Sequence, residues 1–414
     1  MSVSVLPVRG TKDFLPKEMI VRDYVKSVIL STYQAHGFQH IQTPIMESIE
    51  RLSKSEGGEN LSLIFKILKR GEKLQLNQFP LTENDLVDSG LRYDLTMPLS
   101  RFFANNRMAL RTPFKCIQIG QSFRAERPQK GRLREFYQCD VDIIGDSSVD
   151  GEIELIDTVT HTLLNLGFSG FTVRVNDRRL LTRLIQQAGF AESDVPSVCM
   201  TFDKQDKVGE QGVRAELLEK GFEPAVVENF MNSVMKDMSA LPDSDDEVVV
   251  RLKKVISVAQ QLSKGRFQVA FDKSLVRGMG YYTGIVFEIH SMQYATALGG
   301  GGRYDSMIGQ YCGEQVPAVG FSIGFERICD LLLEQGFTPP NQSKRVVLVY
   351  GAEDNLTDVF TKAGELRQQG YIVALCAKSK KLGKQLDGFA EDGYAAFINF
   401  ADGSEKPLGK RGES

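Results

Sequence analysis

The sequence predicts an α+β protein: a mainly antiparallel sheet interrupted by a helical insertion, followed by a small C-terminal α/β unit. Three observations predict it. Between Thr112 and Ile144 two strand-like stretches flank the charged loop ERPQKGRL, which is too long for a tight turn and reads as the tip of a hairpin. Residues 178–265 are helix-rich and polar, and strand-like segments return after them at QVAFD, GIVFEIH and AVGFSIG. The helical block therefore divides one sheet domain. Near the end, RVVLVYG, YIVALC and AAFINF alternate with helical segments, the pattern of a parallel α/β unit.

Taken in order, residues 18–36 place apolar side chains at roughly helical spacing, with Met19, Tyr24, Val28, Ile29 and Tyr33 as candidate core positions. FQHIQTPI (38–45) reads as a strand stopped by Pro44, which cannot donate to a ladder. EIELIDTVTHTLLNLGF is an amphipathic helix stopped at Gly167, and FTVRVND is the strand after it. Within the insertion the acidic run PDSDDE (242–247) suits a surface loop. GFTPPNQSK (336–344) is a linker, because two prolines among polar residues continue neither helix nor sheet. The domains expected are thus 1–335, with the insertion inside it, and 345–414, whose last stretch, ADGSEKPLGKRGES, looks unstructured.

Composition narrows the function classes. A length of 414 residues suits two or three domains, and 42% hydrophobic with 25% charged residues is ordinary for a chain that buries a core. No apolar run is long enough to span a membrane, and the N-terminus lacks the basic head and apolar stretch of a signal peptide, so a cytoplasmic protein is expected. Six scattered cysteines form no CxxC pair, and His36, His40, His161 and His290 form no HExxH or ligand cluster, so no protein-only metal site is expected. A net charge of −3 leaves any nucleic-acid partner to local basic patches.

Chemistry concentrates in FKCIQIGQSFRAERPQKGRLREFYQCDVDIIG (114–145). Side chains alternate along a strand, so Gln118, Ser122 and Arg124 share one face and Phe136, Gln138, Asp140 and Asp142 another. Paired as a hairpin, these faces set a guanidinium beside an amide and carboxylates, and Arg127, Lys130, Arg132 and Arg134 in the loop suit a polyanion. Periodicity alone fits a solvated sheet face with a charged loop at least as well. LVRGMGYYTGIVFEIH (275–290) breaks GxGxxG at its sixth position and precedes a strand, so a dinucleotide fold is excluded, and no GK[ST] marks a P-loop. Tyr281 and Tyr282 place two phenols side by side, commonly the packing of a strand edge. GGGGRYDSMIG (299–309) permits close backbone approach, though a glycine run is commonly a turn. In AVGFSIGFERICDLLLEQGF (318–337), Gly320, Ser322 and Gly324 leave one strand face flat enough for a planar ring. Arg327 follows in the first turn of a helix, where the macrodipole disfavours a cation; it is read as a ligand-binding group or as the partner of a carboxylate such as Glu326.

These segments resemble the histidyl-tRNA synthetase family over roughly residues 8–400. FRAERPQKGRLREFYQCDVDIIG is similar to motif 2 of class II aminoacyl-tRNA synthetases in its histidine version, LVRGMGYYTGIVFEIH and GGGGRYD to the family's histidine signature, AVGFSIGFERICDLLL to motif 3, and LRYDLTMPLSRFF (91–103) to its histidine- and ATP-contacting stretch. The resemblance implies a class II catalytic core and a histidine–tRNA ligase that makes histidyl-adenylate from L-histidine and ATP, then charges tRNA(His). It implies ATP contacts from Arg124, Arg132, Arg277 and Arg327, with Mg²⁺ on the phosphates. It implies a histidine pocket of Asp94, Leu95, Thr96, Gln138, Asp142, Tyr281, Tyr282 and Tyr304, and catalytic roles for Arg124, Arg277 and Gln138. A homodimer is implied through the helix at 18–36. The C-terminal unit, with Lys378, Lys380, Lys381 and Lys384, resembles the family's anticodon-binding domain in a shortened form. Two alternatives share the resemblance: a catalytically silent paralogue serving as the regulatory subunit of ATP phosphoribosyltransferase, and an RNA- or protein-interaction module.

Overall fold

The computed structural model describes residues 4–53, 62–77, 79–127, 132–235, 244–277, 280–291, 297–340 and 343–409. The chain divides into two compact units: residues 1–14 with 22–335, and residues 336–414 with the short stretch 15–21.

Helix α1 (Pro16–Ala35) belongs to the first unit from residue 22 on, and is followed there by β1 (Gln39–His40), β2 (Met46–Ser48), α2 (Ile49–Ser53), β3 (Lys66–Leu68), α3 (Glu83–Leu86), β4 (Val87–Leu91) and α4 (Thr96–Asn106). Then come β5 (Phe114–Phe123), β6 (Glu135–Ile144), α5 (Asp150–Asn165) and β7 (Phe171–Asp177). The helical block follows as α6 (Arg178–Ala188), α7 (Val195–Phe202), α8 (Gln205–Glu219), α9 (Pro224–Met235) and α10 (Glu247–Ser263). The unit closes with β8 (Gln268–Phe271), β9 (Ile285–Ser291), β10 (Ala297–Arg303), α11 (Asp305–Cys312), β11 (Ala318–Ile323) and α12 (Phe325–Glu334).

One large sheet runs in the order β1-β5-β6-β11-β10-β9-β7-β8. It is antiparallel except at its edges, where β1 joins β5 and β8 joins β7 in parallel. The antiparallel core foreseen from the hairpin is therefore present, and the helical block enters between β7 and β8. Helices α6 to α9 bury a core of their own, including Leu181, Val198, Phe202, Phe230 and Met231. Helix α10 packs elsewhere, on α5 and on strands β7 and β8. Of the acidic run, Asp246 caps α10 by accepting from the Val248 amide (2.9 Å) and pairs with Arg183, while 242 and 243 lie outside the described residues.

Two local expectations need correcting. The buried stripe of α1 is Val21, Val25, Ile29 and Tyr33; Met19, Tyr24 and Val28 are only half-buried. Apolar residues occupy more than one face of this helix, and the face that turns inward also carries a polar contact. Arg22 binds Glu326 through both nitrogens at 2.5 and 2.9 Å, with its guanidinium 3.8 Å from the Phe14 ring centroid. The strand foreseen at 38–45 shrinks to Gln39–His40. Past it, the Thr43 carbonyl accepts from Arg92 Nη1 (2.8 Å), and the Thr43 hydroxyl donates to Gln118 (2.9 Å). A buried arginine has taken a backbone acceptor that a ladder would use.

A second buried arginine joins the layers. Arg303, at the end of β10, donates from Nε and Nη2 to the two oxygens of Glu152, both at 2.7 Å, and to the carbonyls of Asp146 and Ser148, both at 2.9 Å. Glu152 lies in the first turn of α5, where the helix dipole favours an anion. Both side chains are nearly inaccessible, at 6% and 0%. Removing one partner strands a buried charge, so Glu152→Ala should cost about 3–5 kcal/mol of unfolding free energy. Denaturant titration of the two proteins checks this, and a loss under about 1 kcal/mol would show the pair to be surface-like.

The second unit carries β12 (Arg345–Tyr350), α13 (Leu356–Gln368), β13 (Ile372–Ala377), α14 (Leu382–Glu391), β14 (Ala396–Asn399) and β15 (Glu405–Pro407). Strands β13, β12 and β14 are parallel, as the alternating pattern predicts, and Val346, Leu348, Val359 and Ile398 are among their core. The tail is not wholly irregular, however. β15 pairs antiparallel with β14, bringing Lys406 opposite Phe397.

Candidate active site

The sheet's register assembles the site. In β5 and β6, Gln118 stands opposite Asp140; Asp140 faces Ser322 of β11, Ser322 faces Gly300 of β10, and Gly300 faces Glu288 of β9. Directly opposed residues share a face. One row of polar or absent side chains therefore crosses the middle of the sheet. Two residues along, Asp142 faces Gly320 and Gly320 faces Gly302.

The glycines matter for what they leave out. A Cβ on Gly320 would lie 2.0 Å from Asp142 Oδ1, and one on Gly300 would lie 2.4 Å from Arg277 Nη1. The strand floor is thus cut away where Asp142 and Arg277 lie across it. The glycine run is a strand, not a turn.

Above this floor is a cavity of about 360 Å³ lined by Asp94, Thr96, Gln138, Asp140, Asp142, Tyr281, Tyr282 and Tyr304, with Arg124, Arg132 and Arg277 also at its wall. It is acidic at its centre. Tyr304 donates its hydroxyl to Asp142 Oδ1 at 2.7 Å, and the Met97 amide donates to Asp94 Oδ1 at 3.1 Å as α4 begins. Yet Asp94 Oδ2, Asp140 Oδ1, Asp142 Oδ2 and Gln138 Oε1 are buried with no partner. Buried acceptors in such numbers are costly unless something donates to them. Burial pushes the carboxyls of Asp94 and Asp140 above their ordinary range, Asp142 adding to the shift at Asp140. Burial carries Asp142 up to about 7, against the opposing bond from Tyr304. A ligand bearing N–H donors and positive charge answers all of these at once.

A second cavity of about 620 Å³ shares Arg124, Arg132 and Arg277 with the first and adds Arg174 and Arg327. Its lining also holds Glu126, Asp272, Glu288 and Glu326, but these are paired with Arg132, Arg174, Arg277 and Arg22, and the remaining donors of the five arginines suit a polyanion. Arg124 extends past β5, its Nε donating to the Tyr93 carbonyl at 3.0 Å and its guanidinium 5.1 Å from the Phe136 ring centroid. Arg277 has φ of 64°, a left-handed conformation that a residue with a Cβ adopts at a cost, and it pairs with Glu288. Burial disfavours its charge, but Tyr282 and Glu288 more than offset that and hold it above its ordinary pKa. Arg327 donates to the Ala297 carbonyl, and Glu326 is committed to Arg22, so the Glu326 partnership considered for Arg327 does not form.

Residues 10–328 match the sequence profile of the family described as histidyl-tRNA synthetase. A histidine–tRNA ligase of Leifsonia xyli subsp. xyli is 40% identical to the chain, the alignment covering 96% of this chain and 95% of that protein. The chain belongs to the histidyl-tRNA synthetase family. A probable histidine–tRNA ligase of Tropheryma whipplei is 38% identical over 96% of each chain. Among solved structures, the histidyl-tRNA synthetase of Nostoc sp. PCC 7120 superposes with a TM-score of 0.77 at 26% identity, covering 98% of this chain and 97% of that one. A Bacillus halodurans protein named as an ATP phosphoribosyltransferase regulatory subunit/histidyl-tRNA synthetase superposes with a TM-score of 0.74 at 19% identity, a likeness of fold alone.

Of the twelve residues to which the resemblance assigns a role, eleven line one or both cavities, Arg327 only the second. Leu95 does not; it is buried, and its carbonyl accepts from Gln118 at 3.1 Å. Of the hairpin-loop cations, Arg132 faces both cavities, whereas Arg134 donates to the backbone carbonyls of Glu126 and Arg9. Lys130 lies outside the described residues. Sequence reasoning missed Glu288 and Asp203. Glu288 bridges Arg277 and His290, and although burial opposes its charge, these two partners bring its pKa down to about 2. Its signal was a carboxylate in the midst of an apolar strand. Asp203, just past α7, reaches the first cavity from the helical insertion and left no mark in the sequence pattern.

Proposed function

We propose that this chain is a histidine–tRNA ligase whose two cavities hold L-histidine and ATP side by side. The observation that carries the reading is the set of orphaned carboxylate oxygens beneath a rim of arginines. The acidic cavity takes the α-ammonium and imidazole of histidine, with Asp94, Asp142, Tyr281, Tyr282 and Tyr304 around them. The cationic cavity takes the triphosphate, with Mg²⁺ entering on its β- and γ-oxygens as part of the substrate. In the first step a histidine carboxylate oxygen attacks the α-phosphorus, and pyrophosphate leaves with the bonding pair. Arg124 and Arg277, which line both cavities, meet the charge that spreads over the equatorial oxygens in this reading. In the second, the terminal ribose hydroxyl of tRNA(His) attacks the adenylate carbonyl, which Gln138 orients, and AMP departs.

Lys380, Lys381 and Lys384 line an open depression at the start of α14 and are read as contacts to the tRNA backbone. A second copy of the chain, meeting it through α1, is the proposed protein partner, and the cytoplasm the proposed compartment. Among the described residues no helix is long and apolar enough to cross a membrane. The regulatory-subunit reading gains nothing from the site, since Arg124, Arg277 and Arg327 all face a cavity.

Histidine-dependent ATP–pyrophosphate exchange tests the proposal. Exchange with histidine and with no other amino acid is the expected result; a folded protein that exchanges with none would sink it. The titration of Asp142 adds a second check. Its folded pKa of about 7 lies above the ordinary 3.8, so ionisation is disfavoured by folding, and the ligand-free chain loses stability as pH rises from 3.8 through 7. An ammonium needs the carboxylate form, so histidine affinity should climb through the same region. The imidazole of free histidine titrates nearby for wild type and variant alike. Asp142→Asn should therefore bind more weakly and lose the part of the pH dependence that is its own. Identical calorimetric pH profiles would refute the assignment.

A further inference from the structure

A second cluster of ligand-type side chains lies away from these cavities. His36 follows α1, while Asp157 and His161 stand one turn apart on α5. The carboxylate of Asp157 reaches both imidazoles: Oδ2 is 3.7 Å from His36 Nδ1, and Oδ1 is 3.3 Å from His161 Nδ1. One donor atom from each residue can be chosen so that all lie within 4.8 Å of one another. The histidine spacing in the sequence gave no hint of a ligand cluster, because His36 and His161 lie far apart in the chain.

We propose that His36, Asp157 and His161 form a binding site for a divalent metal ion of the zinc class, with the remaining coordination positions left to water. Zinc binds imidazole nitrogen and carboxylate oxygen at about 2.0–2.2 Å, which sets tetrahedral ligand atoms about 3.3 Å apart. His161 Nδ1 lies 3.0 Å from the Asp157 main-chain carbonyl, which can only accept, so Nδ1 carries the proton and Nε2 is the nitrogen left to ligate. The 3.3 and 3.7 Å separations, made by different carboxylate oxygens, bring both rings to Asp157, and the chosen donor atoms close from within 4.8 Å. The side chains are 22%, 24% and 37% exposed, so small rotamer changes can close the remainder and water has access. Two imidazoles with one carboxylate favour zinc, cobalt or nickel over magnesium or calcium, which prefer oxygen. The ion would thus be distinct from any that travels with ATP.

The surroundings support the site. Asn165 of α5 donates to the Thr32 hydroxyl of α1 at 3.1 Å, and Lys115 Nζ donates to the His36 carbonyl at 2.7 Å, so both helices and the His36 backbone are held in place. Lys115 would oppose a metal by its charge, but its ammonium is paired with Glu154. A bound ion would clamp α1 to α5.

Cobalt(II) is the probe, added to the full chain after chelation. The expected result is one saturable site with visible d–d absorption and no thiolate charge-transfer band, competed by Zn²⁺, which should also raise Tm. Loss of a direct ligand should exceed the about 10–100-fold cost of losing a group that merely supports one. His36→Asn, His161→Asn and the near-isosteric Asp157→Asn should each show that loss while keeping native circular dichroism and histidine-dependent exchange. Absence of saturable binding, a thiolate band, or affinity unchanged in the folded variants would each overturn the proposal, leaving three groups that only share hydrogen bonds.

Discussion

Arg277→Ala should lower the turnover of histidine-dependent pyrophosphate exchange by about 10³-fold, the scale on which a positioned arginine supports phosphoryl transfer. The Michaelis constant for ATP should move far less, because Arg124, Arg132 and Arg327 still line the cationic cavity. The split is the informative part. An interaction made mainly in the transition state lowers kcat and kcat/KM together, whereas loss of ordinary ground-state binding raises KM alone. Arg277 is held at a left-handed φ over Gly300 and gripped by Glu288. That is costly placement for a residue serving only to bind. Turnover near wild type would remove Arg277 from the chemistry. Glu288→Gln, which keeps the shape and removes the charge, should fall between the two proteins, since Glu288 acts through Arg277.

Gly320→Ala should act on the other substrate, weakening histidine binding and not turnover. The new methyl would lie 2.0 Å from Asp142 Oδ1 and 3.2 Å from Tyr304 Cε1, so the carboxylate must leave the tyrosine hydroxyl or the strand must shift. Overpacking of this kind costs about 1–3 kcal/mol, which corresponds to roughly 5–150-fold in histidine KM if the strain falls on the pocket. The KM for ATP should stay within a few-fold, because Gly320 does not line the second cavity. A thermal melt separates the pocket effect from general destabilisation: a Tm near wild type with a raised histidine KM is the expected pair. An unchanged histidine KM would show that Asp142 does not hold the amino acid.

The site was legible where it rests on period-two alternation. Gln138, Asp140 and Asp142 share a face because they sit two apart on one strand, and no tertiary information was needed to say so. Arg327 was legible as a cation in the first turn of a helix, where the dipole disfavours it, and Arg124 as one member of a polar strand face. What stayed hidden depends on partners far along the chain. The inward stripe of α1 carries Arg22 to Glu326, a partner 304 residues away that nothing within the helix anticipates. The strand at 38–45 was shortened by Arg92, whose reach to Thr43 no local propensity encodes. Asp203 enters the cavity from the helical insertion, whose own core of Val198, Phe202 and Phe230 was read only as a change in composition. Periodicity reveals which way a residue points along its own element; it does not reveal what another element brings to meet it.

The missing Cβ atoms at Gly300 and Gly320 make the pocket's breadth a matter of subtraction. Every substitution at either position adds mass, and none can remove more. Mutational drift at this floor therefore runs one way, toward a tighter chamber and smaller or no guests. A lineage exploring bulkier amino acids would have to begin at the tyrosine walls, while the glycine floor acts as a ratchet against accidental broadening of the substrate range.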